Sequence, residues 1–187
     1  FDGLVREHAP GFLPRWEKVL ALFEENKRRL ARVYGKLPTS VFQGDHFGDN
    51  LVLDENGHFK GVIDYNLAGT DTAINVFLYT VLFGYHRDEP QTEDSETLPE
   101  YNPAAQDSMI QSIVDTLRYL RNFYTFTEAE ARAILPLYKY ISCIEYRQIE
   151  AFRKYQGDEK KLGLLFDGME RELARKENPF YEAMMER

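Results

Sequence analysis

Residues 43–65 read Gln-Gly-Asp-His-Phe-Gly-Asp-Asn-Leu-Val-Leu-Asp-Glu-Asn-Gly-His-Phe-Lys-Gly-Val-Ile-Asp-Tyr. Two short apolar runs in this stretch flank the pair Asn56-Gly57. An Asn-Gly pair between apolar runs is a strong signal for a β-hairpin, because both residues tolerate the backbone angles of a tight turn. The stretch therefore predicts strands at 51–54 and 59–63, joined by a turn at 55–58.

Apolar residues on either side of this hairpin recur at helical spacing. Over residues 12–34 they are three, four and seven positions apart, which predicts one amphipathic helix. Helical spacing returns after residue 70, is interrupted by a proline-containing loop at 87–102, and predicts a helix over about 104–123. The predicted fold class is mainly α with a small β-hairpin, in a single domain over residues 1–187.

A capping signal marks the start of the next helix. Thr127 is followed three residues later by Glu130, the spacing of a capping box, and this predicts one long helix over residues 127–155. One or two further helices are predicted within residues 158–186, with a break near Asn178.

Composition and charge exclude several classes of protein. The chain has 187 residues, 43% of them hydrophobic, so it can bury an ordinary core and is not a disordered or low-complexity protein. Its formal net charge of −8 argues against nucleic acid or a membrane surface as partner. The single cysteine, Cys143, can form no internal disulfide, and no apolar run approaches the ~18 residues that cross a bilayer. We therefore expect a cytoplasmic protein, and we expect Phe1 to lie inside a longer chain.

Three oxygen-bearing side chains are predicted to converge at the open end of the hairpin. Asn50 precedes the first strand and Asp64 follows the second, so pairing of the strands places both residues at the same end. Directly paired residues lie about 5 Å apart, close enough for the two side chains to share one hard cation such as Mg²⁺. Asp45, five residues before Asn50, can fold back over that cation. A carboxylate beside a Mg²⁺ that holds phosphates is typical of phosphoryl transfer, in which it orients or deprotonates the attacking hydroxyl.

The same stretch resembles the catalytic segment of the aminoglycoside phosphotransferase and choline kinase family. That segment runs His-Gly-Asp, four residues, Asn, a short hairpin, and then Ile-Asp followed by an aromatic residue. The resemblance implies that Asp45 is the catalytic base, that Asn50 and Asp64 are the Mg²⁺ ligands, and that ATP is the phosphate donor. It also implies a small hydroxyl-bearing acceptor, aminoglycoside-like or other, and the larger, C-terminal lobe of a protein-kinase-like fold.

Three features depart from the family pattern. Gln43 stands where the family usually has His, and Asn75 stands where it usually has a second Asp. No G-x-G-x-x-G loop and no strand lysine of the V-A-I-K type occurs in the sequence. We therefore expect the nucleotide-gripping lobe to precede Phe1, and we expect residues 1–187 by themselves to transfer little phosphate.

Two other functions are compatible with these residues. The replacements at Gln43 and Asn75 leave room for a kinase-like fold that has lost activity and serves as a binding or regulatory module. The Gly-Asp pairs at 44–45 and 48–49 are also found in the metal loops of metallophosphoesterases, a less favoured interpretation because a dinuclear site needs more ligands than four scattered histidines supply.

Overall fold

Helices dominate a computed structural model of the chain, which describes residues 1–44, 50–84, 103–144 and 146–186. The mainly α class with a small β component is therefore confirmed. The loop predicted at 87–102 lies outside the described residues.

Two helices and a short 3-10 turn precede the strands. Helix α1 spans Asp2–His8, the turn spans Pro10–Phe12, and α2 spans Leu13–Tyr34 as predicted. The face of α2 that packs on the protein includes Trp16, which is 3% exposed, as well as a buried polar side chain, Asn26. The Asn26 amide donates to the carbonyl oxygen of Pro136 at 2.7 Å, so its burial is compensated by a hydrogen bond.

The strands form two small antiparallel sheets. They span Thr39–Gln43 (β1), Leu51–Leu53 (β2), Phe59–Val62 (β3) and Ala68–Thr72 (β4). β2 and β3 pair as the predicted hairpin, and β1 pairs with β4. The hairpin is thus inserted between the two strands of the other sheet.

The remaining helices lie after β4. They span Ala73–Gly84 (α3), Pro103–Leu120 (α4), Glu128–Ser142 (α5), Tyr146–Lys154 (α6), Glu159–Ala174 (α7) and Pro179–Met185 (α8). Asn178 caps α8, and its side chain accepts from the Tyr181 N–H. The predicted break near Asn178 is therefore confirmed.

The prediction of one helix over 127–155 is wrong, because the chain forms α5 and α6 with a break after Ser142. The Ser142 hydroxyl donates to the Tyr138 carbonyl at 2.7 Å, and the Gln148 side-chain amide donates to the Ser142 carbonyl at 3.0 Å. Side-chain hydrogen bonds thus satisfy these two carbonyl oxygens where α5 ends, in the way that capping side chains satisfy backbone groups at the ends of other helices.

The predicted helix at 104–123 ends earlier, at Leu120. The N–H groups of Asn122 and Phe123 reach back three residues, to Tyr119 and Leu120, so the chain tightens into a 3-10 turn there.

Two apolar clusters form the core. One lies among α3, α4, α5 and α8 and includes Ile74, Ile134 and Phe180; the other lies among α1, α2, α6 and α7 and includes Phe152 and Phe166. α2 contributes residues to both clusters and so connects them. No helix in the described ranges is long and apolar enough to cross a membrane.

Candidate functional site

The hairpin brings the two predicted metal ligands to one end. β2 and β3 pair with Leu51 opposite Val62. One position further out, the Ile63 N–H donates to the Asn50 carbonyl oxygen at 2.9 Å. Asp64 is the next residue, so Asn50 and Asp64 both lie at the open end of the hairpin. The strand pairing agrees with the sequence, and metal binding by this pair stays a prediction.

The turn of the hairpin is fixed by local hydrogen bonds. Asp54 Oδ1 accepts the N–H groups of Asn56 at 3.0 Å and His58 at 2.9 Å. The His58 N–H, together with the nearby Lys60 ammonium, holds the pKa of Asp54 below its usual value. Gly57 has a φ of 81°, which glycine adopts without strain. A register shift between Val52 and Leu53 separates this turn from the open end, where Leu51 lies opposite Val62.

Asp64 has an unusual backbone conformation. With φ 57° and ψ 74° it occupies the left-handed region, the only non-glycine residue in the described ranges with a positive φ. The Asp64 side chain is exposed and accepts from the Asn66 N–H at 3.3 Å. Strained backbone angles are concentrated at functional sites, and Asp tolerates this region better than most residues. The conformation turns the chain directly after β3 and leaves the carboxylate facing solvent.

Gln43 connects the end of β1 to the turn at Asp64 by a hydrogen bond. Its side chain is only 7% exposed, and its Nε2 donates to the Asp64 carbonyl oxygen. The next residue, Gly44, donates its N–H to the Leu67 carbonyl at 3.0 Å. A Cβ on Gly44 would lie 2.8 Å from that same oxygen, so the close approach requires glycine. The strand that leads to Asp45 is therefore held against the segment that carries Asp64.

Asp71 is the centre of a hydrogen-bond network behind this turn. It accepts the Tyr34 hydroxyl at 2.5 Å, the Asn75 side-chain amide at 2.6 Å and the Thr72 N–H at 2.7 Å. Burial raises the pKa of Asp71, but these three donors outweigh burial and hold it below the usual value. Burial and the hydrogen bond to Asp71 raise the pKa of Tyr34 to about 12. Asp71 is thus an ionised carboxylate at neutral pH.

A cavity of about 300 Å³ lies beside the end of β1 and the Asp71 hydrogen-bond network. Gln43, Gly44, Asp71 and Asn75 line its polar side. Sequence reasoning missed Asp71 and its partner Tyr34, because the two are 37 residues apart and no local pattern joins them. The four-residue spacing of Asp71 and Asn75 at a helix start is the one local signal that points to the network.

Asp45, the predicted catalytic base, belongs to residues 45–49, which lie outside the described residues. In the part of the chain that is described, the side-chain amide of Asn75, which stands where the family usually has a second Asp, donates to Asp71. No group of three or more His, Cys, Asp or Glu side chains that could hold a metal ion occurs among the described residues.

The chain matches no protein-family model, no curated protein and no solved structure.

Proposed function

We propose that this chain is the larger lobe of an ATP-dependent small-molecule kinase, similar to the aminoglycoside phosphotransferase and choline kinase family. One observation carries the proposal: the Ile63 to Asn50 hydrogen bond puts Asn50 and Asp64 at the same end of a hairpin whose preceding strand leads to Asp45. The order of the three residues along the chain is that of the catalytic segment which the sequence resembles.

The donors at this end of the hairpin fit Mg²⁺. Asn50 offers an amide oxygen, and Asp64 offers an exposed carboxylate whose hydrogen bond within the described residues, from the Asn66 N–H, is long at 3.3 Å. Hard oxygen donors suit Mg²⁺, and a site with so few protein ligands suits an ion that is completed by nucleotide phosphates. Bound there, Mg²⁺ would neutralise charge on the phosphates of ATP.

Asp45 and Gln43 have separate roles in the proposed reaction. Asp45 accepts the proton of the acceptor hydroxyl while the hydroxyl oxygen forms its bond to the γ-phosphorus and the bond to the ADP oxygen breaks. Gln43 holds the Asp64 carbonyl, and so keeps the metal-binding residue in place relative to the strand that precedes Asp45. The partners are a nucleotide and a small hydroxyl-bearing acceptor in the cytoplasm, with no nucleic acid or membrane.

The first test asks whether the open end of the hairpin binds a hard divalent cation. Mn²⁺, a paramagnetic substitute for Mg²⁺, is titrated into the isotope-labelled chain, and line broadening in the proton–nitrogen NMR spectrum is followed. We expect broadening centred on Asn50 and Asp64, weakened several-fold by Asp64→Asn. The matched control is Glu55→Gln, which removes an exposed carboxylate at the opposite end of the same hairpin and should leave the broadening unchanged.

The second test measures phosphate transfer from ATP to a panel of alcohols by the protein together with the nucleotide-binding lobe that the proposal requires. Transfer that requires Asp45 supports the kinase. Cation binding at Asn50 and Asp64 without transfer to any acceptor would instead favour the inactive binding module. If Asp64→Asn leaves the Mn²⁺-induced line broadening unchanged, the assignment of Asp64 as a metal ligand is contradicted.

A further inference from the structure

A cavity of about 400 Å³ lies between α2 and α5, next to the start of α3. On the α2 side it is lined by Lys27, Leu30, Ala31 and Tyr34, which are spaced as the residues of one helix face are. Lys27 and Tyr34 are seven residues apart, and at a rise of ~1.5 Å per residue this side of the cavity is about 10 Å long. We refer to this cavity as the α2–α5 groove.

The groove has an apolar floor and an open mouth. Leu30 and Leu137 are 6% and 2% exposed, so their side chains form the floor. The Tyr140 ring is 41% exposed and stacks on Phe23, with 5.5 Å between the ring centroids. Phe23 precedes Lys27 by one helical turn, so Tyr140 and Lys27 lie at the same end of the groove. Small-molecule sites have volumes of about 300–1,000 Å³ and mainly apolar walls with a few polar groups, and the groove has both properties.

The Lys27 end of the groove carries a positive charge. Lys27 is the one charged side chain among the described residues that line the groove. Its ammonium lies 3.4 Å from a Glu24 carboxylate oxygen, and both side chains are about half exposed. An exposed ion pair of this kind contributes little, and an ammonium has three N–H donors. Lys27 can therefore contact a second anion at the mouth of the groove.

The other end of the groove is next to a negative charge. Tyr34 and Asn75 line this end, and both donate to the ionised carboxylate of Asp71. Because like charges repel, a negatively charged group on a ligand is favoured at the Lys27 end and disfavoured here. The groove therefore matches a ligand that has an anionic head and an apolar tail about 10 Å long.

We propose that the α2–α5 groove is a binding site for a medium-chain carboxylate. The carboxylate accepts from the Lys27 ammonium at the mouth, where it stays in contact with water and so keeps most of its hydration. The hydrocarbon chain lies along Leu30 and Leu137, where it is removed from water. The proposal is independent of the proposed kinase function, because it uses neither Asp45 nor the metal pair.

The test uses octanoate, whose extended chain is comparable in length to the groove, and the purified chain of 187 residues. Binding is followed by chemical-shift changes in the proton–nitrogen NMR spectrum. We expect saturable shifts at Lys27, Ala31 and Asn75. Two probes with the same hydrocarbon length test the head group: n-octanol lacks the charge, and n-octylammonium reverses it. We expect n-octanol to bind about threefold or more weakly than octanoate, and n-octylammonium at least about tenfold more weakly.

Variants identify the site. Lys27→Met keeps the aliphatic part of the side chain but removes the charge, so it should weaken octanoate about threefold or more and leave n-octanol unchanged. The matched control is Lys160→Met, which removes an exposed lysine from α7 and should leave octanoate binding unchanged. Ala31→Trp fills the groove from an exposed position of α2 and should weaken octanoate at least about tenfold. Near-ultraviolet circular dichroism verifies that each variant is folded, and if Ala31→Trp is not, the comparison of the two lysine variants decides.

Four results would overturn the proposal. The first is that n-octanol or n-octylammonium binds as tightly as octanoate, which would remove the role of the carboxylate. The second is that Lys27→Met and Lys160→Met weaken octanoate equally, which would make the effect one of net charge. The third is that folded Ala31→Trp binds octanoate normally, which would place the ligand elsewhere. The fourth is that octanoate shifts none of the groove residues, in which case the groove holds only water.

Discussion

Asp45 and Asp64 have different tasks in the proposed enzyme, and substitution separates them. Asp45 meets the acceptor proton chiefly in the transition state, so Asp45→Asn should lower kcat by about 10²–10⁴ and leave nucleotide affinity nearly unchanged. Asp64→Ala removes a metal ligand that acts already in the ground state, so it should weaken MgATP binding. Steady-state kinetics with a nucleotide-binding measurement distinguishes the two; near-normal turnover by Asp45→Asn would contradict its assignment as base.

Gly44 is expected to tolerate no side chain. A Cβ there would lie 2.8 Å from the Leu67 backbone oxygen, which cannot move without disturbing the hydrogen bond to the Gly44 N–H. Gly44→Ala should therefore lower the free energy of unfolding by about 1–3 kcal/mol in urea titrations. Gly35→Ala is the control, since Gly35 has a φ of −68° and nothing within 4 Å of its Cβ position. It should be neutral or stabilising by up to ~1 kcal/mol, and equal losses in both variants would contradict the argument.

Among the site residues, those placed by a local turn could be predicted and those placed by packing could not. Asn50 and Asp64 flank a hairpin that the Asn56-Gly57 turn signals, so the sequence contains the information that brings them together, although it did not predict the register shift between Val52 and Leu53. The contact of Tyr34 with Asp71 joins the end of α2 to β4. It depends on how helix and sheet pack, which no periodicity in either segment reports.

The start of α5 gives a prediction at the level of one element. Thr127 Oγ1 accepts the Glu130 N–H at 3.2 Å, and Glu130 Oε2 accepts the Thr127 N–H at 2.8 Å, which confirms the predicted capping box. Glu130 is fully buried and also accepts the Tyr124 hydroxyl at 2.8 Å. Thr127→Ala should cost about 0.5–2 kcal/mol of unfolding free energy, and Thr127→Ser should restore most of it.

The control for this element is Thr116→Ala, which removes a hydroxyl from the middle of α4, where it bonds back to the Ser112 carbonyl. A hydroxyl in that position does not cap a helix and slightly disfavours it. Chemical unfolding of the three variants under one set of conditions makes the comparison. A loss in Thr116→Ala as large as that in Thr127→Ala would show that the effect does not come from capping.

Strand β4 shows why some elements escape prediction. Its residues, Ala68–Thr72, include Gly and Asp, which are depleted in strands, so propensity gives little signal. It forms because β1, at Thr39–Gln43, offers it backbone partners along its whole length. The break between α5 and α6 was not predicted because the helical spacing of apolar residues continues across it. Side-chain hydrogen bonds near Ser142, which the spacing does not report, end the helix there.

On the scale of the whole molecule, α2 connects the two core clusters and is held by polar contacts as well. Arg15 on α2 contacts α7 through Asp167 at 2.5 Å, Glu170 at 3.3 Å and the Gly163 carbonyl at 3.1 Å. The Asp167 side chain is 67% exposed, so its ion pair contributes little, while that of Glu170 is 17% exposed. We assign most of the stability of this arrangement to the buried apolar faces. The arrangement matters for function because α2 also delivers Tyr34 to Asp71, so the polar network behind the site depends on how both clusters pack.

Two tyrosines, Tyr34 and Tyr124, make the free energy of unfolding depend on pH in the alkaline range. Burial and a hydrogen bond to Asp71 raise the pKa of Tyr34 to about 12, and burial with a hydrogen bond to Glu130 raises the pKa of Tyr124 to about 12. In the unfolded chain tyrosines titrate near pH ~10. Between about pH 10 and 12 the unfolded state therefore binds fewer protons than the folded state, and the free energy of unfolding falls as pH rises. Tyr34→Phe and Tyr124→Phe should each make this fall shallower in urea titrations at pH values across that window. Tyr119→Phe, which alters a ring that is 63% exposed, should leave the slope unchanged, and identical slopes in all three variants would contradict the assignment.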